Sequence, residues 1–157
     1  MNDSRYLHWQ EKIRAGGLFR DWWLFWGIYS TLLIFAAAVY LLAVGRWQAV
    51  VLAAAAFILA RLIISPLIYL FYRERRPYQA LQFTPVKSML FSMPTARANA
   101  FPSDHAASFA SIIAALAWRA PWLGLALVIV LALNGLGRVV LGYHYPNQVL
   151  AGWLVGL

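Results

Sequence analysis

The chain has 157 residues, 63% of them hydrophobic and only 11% charged, with a mean hydropathy of +0.67. A soluble domain of this length needs far more polar surface, so the composition points to a bilayer protein. Thirteen Lys and Arg against five Asp and Glu leave a net charge of +8, but the basic residues are scattered among apolar stretches. That scatter argues against nucleic acid and leaves anionic lipid headgroups or a phosphate substrate as partners. With no cysteine, disulfides, thiolate catalysis and zinc–thiolate sites are excluded.

No linker or charge block divides the sequence, so residues 1–157 read as one membrane-embedded domain, with 1–21 as an interfacial segment and 22–157 as a helical core. In the first part, Tyr6, Trp9, Ile13 and Leu18 alternate with Arg5, Lys12, Arg14 and Arg20, a pattern that suits an amphipathic stretch in the membrane interface; a frayed polar tail is the plainer account. A hydrocarbon core of roughly 30 Å needs about 20 apolar residues in helical form. Trp22 to Val44 meets that without a charge, Gly45-Arg46 makes a turn, and Trp47 to Tyr72 forms a second span holding Arg61 and bent near Ser65-Pro66. Arg73 to Ser103 is a long basic connection in which Met89, Leu90, Phe91 and Met93 are candidates for dipping into the membrane. His105 to Trp118, Pro121 to Val140 and Pro146 to Leu157 complete the set, the last too short to cross a bilayer alone. The expected fold is therefore all-α, an integral membrane bundle of about five transmembrane helices. Trp22, Trp23, Trp47, Trp118 and Trp122 stand at the helix ends, where an indole prefers the headgroup level.

On this threading Arg76, Ser103, His105, Arg138 and His144 share one side of the membrane. Ionisable residues at membrane depth mark a functional site by default. Two arginines with two histidines suit an anionic ligand better than a metal ion, because a guanidinium grips phosphate oxygens in pairs. Ser103 and Asp104 stand at a helix start, where free backbone N–H groups bind anions, although helix capping alone also explains those residue types. His144 taken alone reads as an interfacial anchor. Arg61 either lines a cavity or snorkels, and its 15-residue separation from Arg76 argues against direct phosphate contact.

The ordered set Arg76-Pro77, Pro102-Ser103-Asp104-His105 and Arg138-x5-His144 resembles the type 2 phosphatidic acid phosphatase superfamily, which includes vanadium haloperoxidases. That family carries Lys-x6-Arg-Pro, Pro-Ser-Gly-His and Ser-Arg-x5-His-x3-Asp. The likeness covers roughly Ile63 to Leu157, and the Asp of Phe101-Pro102-Ser103-Asp104-His105 is similar to the undecaprenyl-diphosphatase branch. The resemblance implies a hydrolase without metal or cofactor. His144 would be the nucleophile forming a phosphohistidine, and His105 the general acid. Arg76, Ser103, Asp104 and Arg138, with the backbone N–H groups beside them, would form the phosphate cradle. The substrate would be a lipid phosphate or diphosphate, most naturally a polyprenyl diphosphate such as undecaprenyl diphosphate.

Three positions depart from the pattern. Tyr69 stands where the family has Lys, with Arg73 or Arg75 as stand-ins for the charge; Gly137 replaces Ser; and Gln148 replaces the acid that orients the histidine. An amide can orient the ring but carries no charge. Loss of the acid leaves open a weakened or inactive lipid-phosphate-binding protein as the alternative, with a structural subunit of a membrane complex behind it. Restoring the acid with Gln148→Asp is expected to raise turnover. The side that holds the N-terminus and the site carries 10 of the 13 Lys and Arg. Counting basic residues places that side in the cytoplasm, whereas the resemblance places it outside a bacterial inner membrane. Both keep the site on the side of the N-terminus. Neither oligomeric state nor the exact lipid follows from the residues.

Overall fold

The computed structural model describes residues 3–86 and 99–157, so the Met89, Leu90, Phe91 and Met93 segment lies outside the described residues. The described chain is helical. Helix α1 (Asp3–Ala15) and α2 (Leu18–Leu24) lead through a π-helical stretch, Phe25–Tyr29, into α3 (Thr31–Ala43). Helix α4 (Trp47–Ile58), a second π-helical stretch (Leu59–Ile64) and α5 (Ser65–Phe71) form one 25-residue rod. After the one-turn helix α6 (Pro77–Ala80) come α7 (Asp104–Arg119), α8 (Pro121–Val140) and α9 (Pro146–Gly156).

The expectation of about five transmembrane helices is not met. Among the described residues two helices are long and apolar enough to cross a membrane, Trp47–Phe71 and Pro121–Val140. The count rises to three if Leu18–Tyr29 and Thr31–Ala43, which meet at 45°, form one broken span. The physical reason is length and placement. At 1.5 Å per residue, α7 with its 16 residues reaches only about 24 Å. Along much of α7, from Ala106 to Ala110 and at Ile113 and Leu116, the side chains are buried by neighbouring helices. Apolar composition in α7 thus marks a helix covered by protein along much of its length, whereas α9 leaves Leu150 and Leu154 exposed. The rod Trp47–Phe71, by contrast, exposes Val51, Ile58, Leu62, Leu67 and Leu70, as a lipid-facing helix does.

One further boundary differs from the sequence reading, and an irregularity in the second span falls beside the expected residues. The first span is broken at Ser30, where the π-helical turn widens the backbone and Ser30 Oγ donates to the Trp26 carbonyl at 2.5 Å. Asn134 Nδ2 reaches across from α8 to the same carbonyl and to Ser30 Oγ, both at 3.0 Å, so the bend is satisfied internally. In the second span the wide turn immediately precedes Ser65-Pro66; Pro66 offers no N–H to the turn before it, and Ser65 Oγ donates to the Ala60 carbonyl at 2.9 Å.

Helix α7 is the centre, packed against α4, α8 and α9. Its approach to α9 depends on Gly152 and Gly156, one turn apart. A Cβ on Gly152 would stand 2.6 Å from the Ser103 carbonyl oxygen, and one on Gly156 would overlap the Ala107 carbonyl. This small-xxx-small face brings the α9 backbone against the first turn of α7. Helix α1 is not a frayed tail. Tyr6, Gln10 and Ile13 are buried, with Gln10 Nε2 donating to the Val140 carbonyl at 3.0 Å and Tyr6 Oη to the His144 carbonyl at 3.2 Å.

Candidate active site

The two helices that flank the polar cluster start alike. Arg76-Pro77-Tyr78-Gln79 opens α6 and Tyr145-Pro146-Asn147-Gln148 opens α9. In each, proline occupies the first turn, where no N–H is needed. The glutamine three residues after the cap accepts the cap residue's N–H, at 3.0 Å in both cases. Proline and glutamine therefore fix the backbone beside Arg76 and beside His144. Helix α7 starts at Ser103, whose Oγ accepts from the Ala106 N–H at 3.4 Å, while the Ser103 N–H donates to the Gln148 carbonyl at 3.0 Å. The start of α7 is thereby joined to the start of α9.

Four of the candidate residues meet in two arginine–histidine pairs. Arg76 Nη1 lies 3.2 Å from His144 Nε2, and Arg138 Nη2 lies 3.2 Å from His105 Nδ1. Arg138 is further held by the Gly27 carbonyl at 3.4 Å, and stacks over Tyr143 at 4.6 Å. His105 lies within electrostatic reach of Arg138, Arg61, His144 and Arg76. The Nε–H groups of Arg76 and Arg138 are buried without a partner among the described residues. A buried, unpaired donor is costly, and here two of them belong to the cationic groups of one cluster.

The remaining candidates divide. Gln148 is wholly buried with Oε1 3.2 Å from His144 Nδ1. Asp104 is half-buried, its carboxylate accepting from Tyr69 Oη at 2.5 Å, so the tyrosine standing in the lysine position is tied to the start of α7. Arg73 and Arg75 are exposed; Arg75 meets the cluster through its backbone carbonyl, which accepts from Gln148 Nε2 at 3.2 Å. Arg61 donates to Ser108 Oγ at 3.4 Å, one turn beyond Asp104.

Glu74 was missed. Its Oε2 accepts from Gln148 Nε2 at 2.8 Å, and Tyr72 and Asn147 hold its Oε1 at 2.8 and 3.3 Å. The signal was available: only five acidic residues occur in the chain, and this one stands inside the run Arg73-Glu74-Arg75-Arg76.

His144 is 1% exposed. Burial first, then the charges of Arg76 and Arg138, push its pKa well below the usual histidine range, with the Gln148 contact pulling the other way. The imidazole is therefore neutral, with Nε2 turned toward cationic donors. No group of three or more His, Asp or Glu among the described residues is placed to hold a metal ion. The arrangement can bind an oxyanion between two guanidinium groups with a neutral imidazole on each.

The chain belongs to the PAP2 superfamily, whose family model matches residues 48–157. It is 36% identical over 99 residues to the undecaprenyl-diphosphatase BcrC of Bacillus subtilis, covering 63% of this chain and 48% of that one. To the putative undecaprenyl-diphosphatase YbjG of Escherichia coli it is 37% identical over 60 residues, covering 38% and 30%. The chain thus spans less than half the length of these relatives. No solved structure matches it.

Proposed function

We propose that this chain is an integral membrane phosphatase that releases phosphate from a lipid phosphate or diphosphate, with a polyprenyl diphosphate such as undecaprenyl diphosphate as its preferred substrate. The observation that carries the reading is the pair of arginine–histidine contacts, Arg76 with His144 and Arg138 with His105. The undecaprenyl-diphosphatase relatives support the substrate class.

The route is covalent. As substrate enters, Arg76 turns its donors from His144 Nε2 onto phosphate oxygens, joined by Arg138 and the backbone N–H groups at the start of α7. His105 takes up a second proton as the phosphate anion binds and Arg138 turns onto it. His144 Nε2 attacks phosphorus, the bond from phosphorus to the departing oxygen breaks, and His105 gives that oxygen its Nε2 proton and is left neutral. Water then attacks the phosphohistidine with His105 taking its proton, which releases phosphate and restores both imidazoles. Neither a metal nor another cofactor is required by these steps. Residues 1–157 act as one membrane unit in a bacterial inner membrane, with α1 at the interface on the side of the site. The contact of Tyr6 with the His144 carbonyl supports that placement.

Purified protein in detergent, given a panel of lipid phosphates and diphosphates, is expected to release phosphate, fastest from undecaprenyl diphosphate, and His144→Ala to abolish release. Absence of release from every member would overturn the enzyme reading; retained lipid-phosphate binding would then mark a non-catalytic binder.

A further inference from the structure

We propose that Glu74 is the acidic positioning residue for His144, acting through the Gln148 amide; the inference rests on the phosphatase reading and names the group that supplies the charge missing at position 148. The amide is held at both ends. Its Oε1 accepts the Tyr145 N–H at 3.0 Å and faces His144 Nδ1 at 3.2 Å. Its Nε2 donates to Glu74 Oε2 at 2.8 Å and to the Arg75 carbonyl at 3.2 Å. A backbone N–H only donates and a carbonyl only accepts, so reversing the amide would turn satisfied contacts into repulsive ones. Oε1 is therefore the acceptor at Nδ1, and His144 carries its proton there, leaving the Nε2 lone pair for chemistry.

Orientation alone would be met by any fixed acceptor. What Glu74 adds is charge. When His144 Nε2 bonds to phosphorus, the ring becomes cationic in a neighbourhood that is already positive. Facing it are Arg76 from the start of α6, Arg138 from α8 and His105 from α7, with the neutral hydroxyl of Tyr6 from α1 on its carbonyl. Asp104, the other acid nearby, is bonded to Tyr69. Glu74 is aligned with Nδ1 through one amide, and a chain of hydrogen bonds polarised from a carboxylate strengthens along its length. Its own position is fixed: its N–H donates to Asn99 Oδ1 at 2.9 Å and its carbonyl accepts the Ala100 N–H at 3.0 Å. It is not drawn off by a basic partner either, since Arg20 with Asp21 is the one ion pair among the described residues.

The test compares Glu74→Gln with the exchange Glu74→Gln/Gln148→Glu, which puts the carboxylate directly on Nδ1 and the amide behind it. Activity on undecaprenyl diphosphate is measured across pH, and the His144 pKa is read separately from histidine NMR in detergent, its signal assigned by loss in His144→Ala. Glu74→Gln is expected to lower kcat roughly tenfold or more with KM little changed, the scale typical of lost outer-shell partners, and to lower the His144 pKa. The exchange is expected to recover most of kcat and to raise the pKa above that of the wild type. Because Gln at 74 has the same shape and still accepts from Gln148, a packing role predicts no change in either quantity, and that result would overturn the proposal. Should Glu74→Gln not fold, the exchange decides alone: a His144 pKa equal to the wild-type value refutes the relay. Should the wild type turn over no lipid, the phosphatase reading fails, while the NMR comparison still decides whether Glu74 acts on His144.

Discussion

Arg138 Nη2 lies 3.2 Å from His105 Nδ1, and that contact fixes where the histidine proton sits. A guanidinium has donors and no acceptor, so Nδ1 must accept and the proton must be on Nε2. The Arg76–His144 contact runs through the other nitrogen, Nε2, so there the proton is on Nδ1. Two arginines thus hold two histidines in opposite tautomers, His105 presenting an Nε2–H and His144 an Nε2 lone pair.

Replacing either arginine with lysine tests this division. Arg138→Lys keeps the charge but loses the planar fork that reaches the Gly27 carbonyl, His105 and the Tyr143 ring together. A loss of roughly 100-fold in kcat is expected, the scale of removing one oriented donor from an anion site. Steady-state phosphate release measures it, and a variant within threefold of wild type would show that charge alone is sufficient.

The pH dependence follows from His144. Its folded pKa is pushed well below 6.5 by burial and by Arg76 and Arg138, so the proposed nucleophile stays neutral at pH 6.5 and above. In the free enzyme the acid limb of kcat/KM is expected below pH 6.5, with no loss on going from pH 7.5 to 6.5. Stability has the same sign: below pH 6.5 the unfolded chain binds a proton at this position that the folded chain refuses, so folding weakens as pH falls. Thermal unfolding in detergent between pH 7.5 and 5 measures the second effect, and a Tm that rises on acidification would contradict it.

Gln148→Asp is now expected to lower turnover, the reverse of what the motif suggested. The shorter acid would withdraw from His144 Nδ1, lose the donor that Glu74 accepts at 2.8 Å, and place like charge beside that carboxylate. It would also release the Tyr145 N–H that starts α9. A reduction of about tenfold or more in kcat is expected by the same outer-shell reasoning, read from initial rates; a gain would mean that Glu74 does not act on the site.

Sequence and structure agree where a single side chain settles the matter. Pro121 and Pro146 start helices where their missing N–H is harmless, and Ser103 caps α7. Four of the polar residues that the sequence set apart, Arg76 with His144 and Arg138 with His105, meet in two contacts. The number of membrane crossings was not legible, because an apolar helix reads the same whether lipid or protein covers it. Helix α7 is apolar for α4, α8 and α9; its shortness hinted at this, but its composition did not. Glu74 was hidden for a related reason: its influence on His144 runs through residue 148, and a spacing rule that looks for an acid at that position finds only an amide.

The joint between α7 and α9 gives a stability test that reaches the site. Gly152 lets the α9 backbone approach so closely that an added Cβ would lie 2.6 Å from the Ser103 carbonyl and 2.7 Å from the Ala106 Cβ. The first partner is backbone and cannot swing aside, so Gly152→Val must push the two helix starts apart, at a cost of about 1–3 kcal/mol, typical of overpacking. The same displacement pulls on the Ser103 N–H to Gln148 carbonyl bond, which joins the Ser103–His105 segment to the segment holding His144. The variant is therefore expected to unfold at lower temperature and to lose more kcat than KM, since the histidines move relative to each other while the arginines can still take up phosphate. A variant with lowered Tm and unchanged kcat would show that the α7–α9 joint supports the fold without setting the spacing of the two histidines.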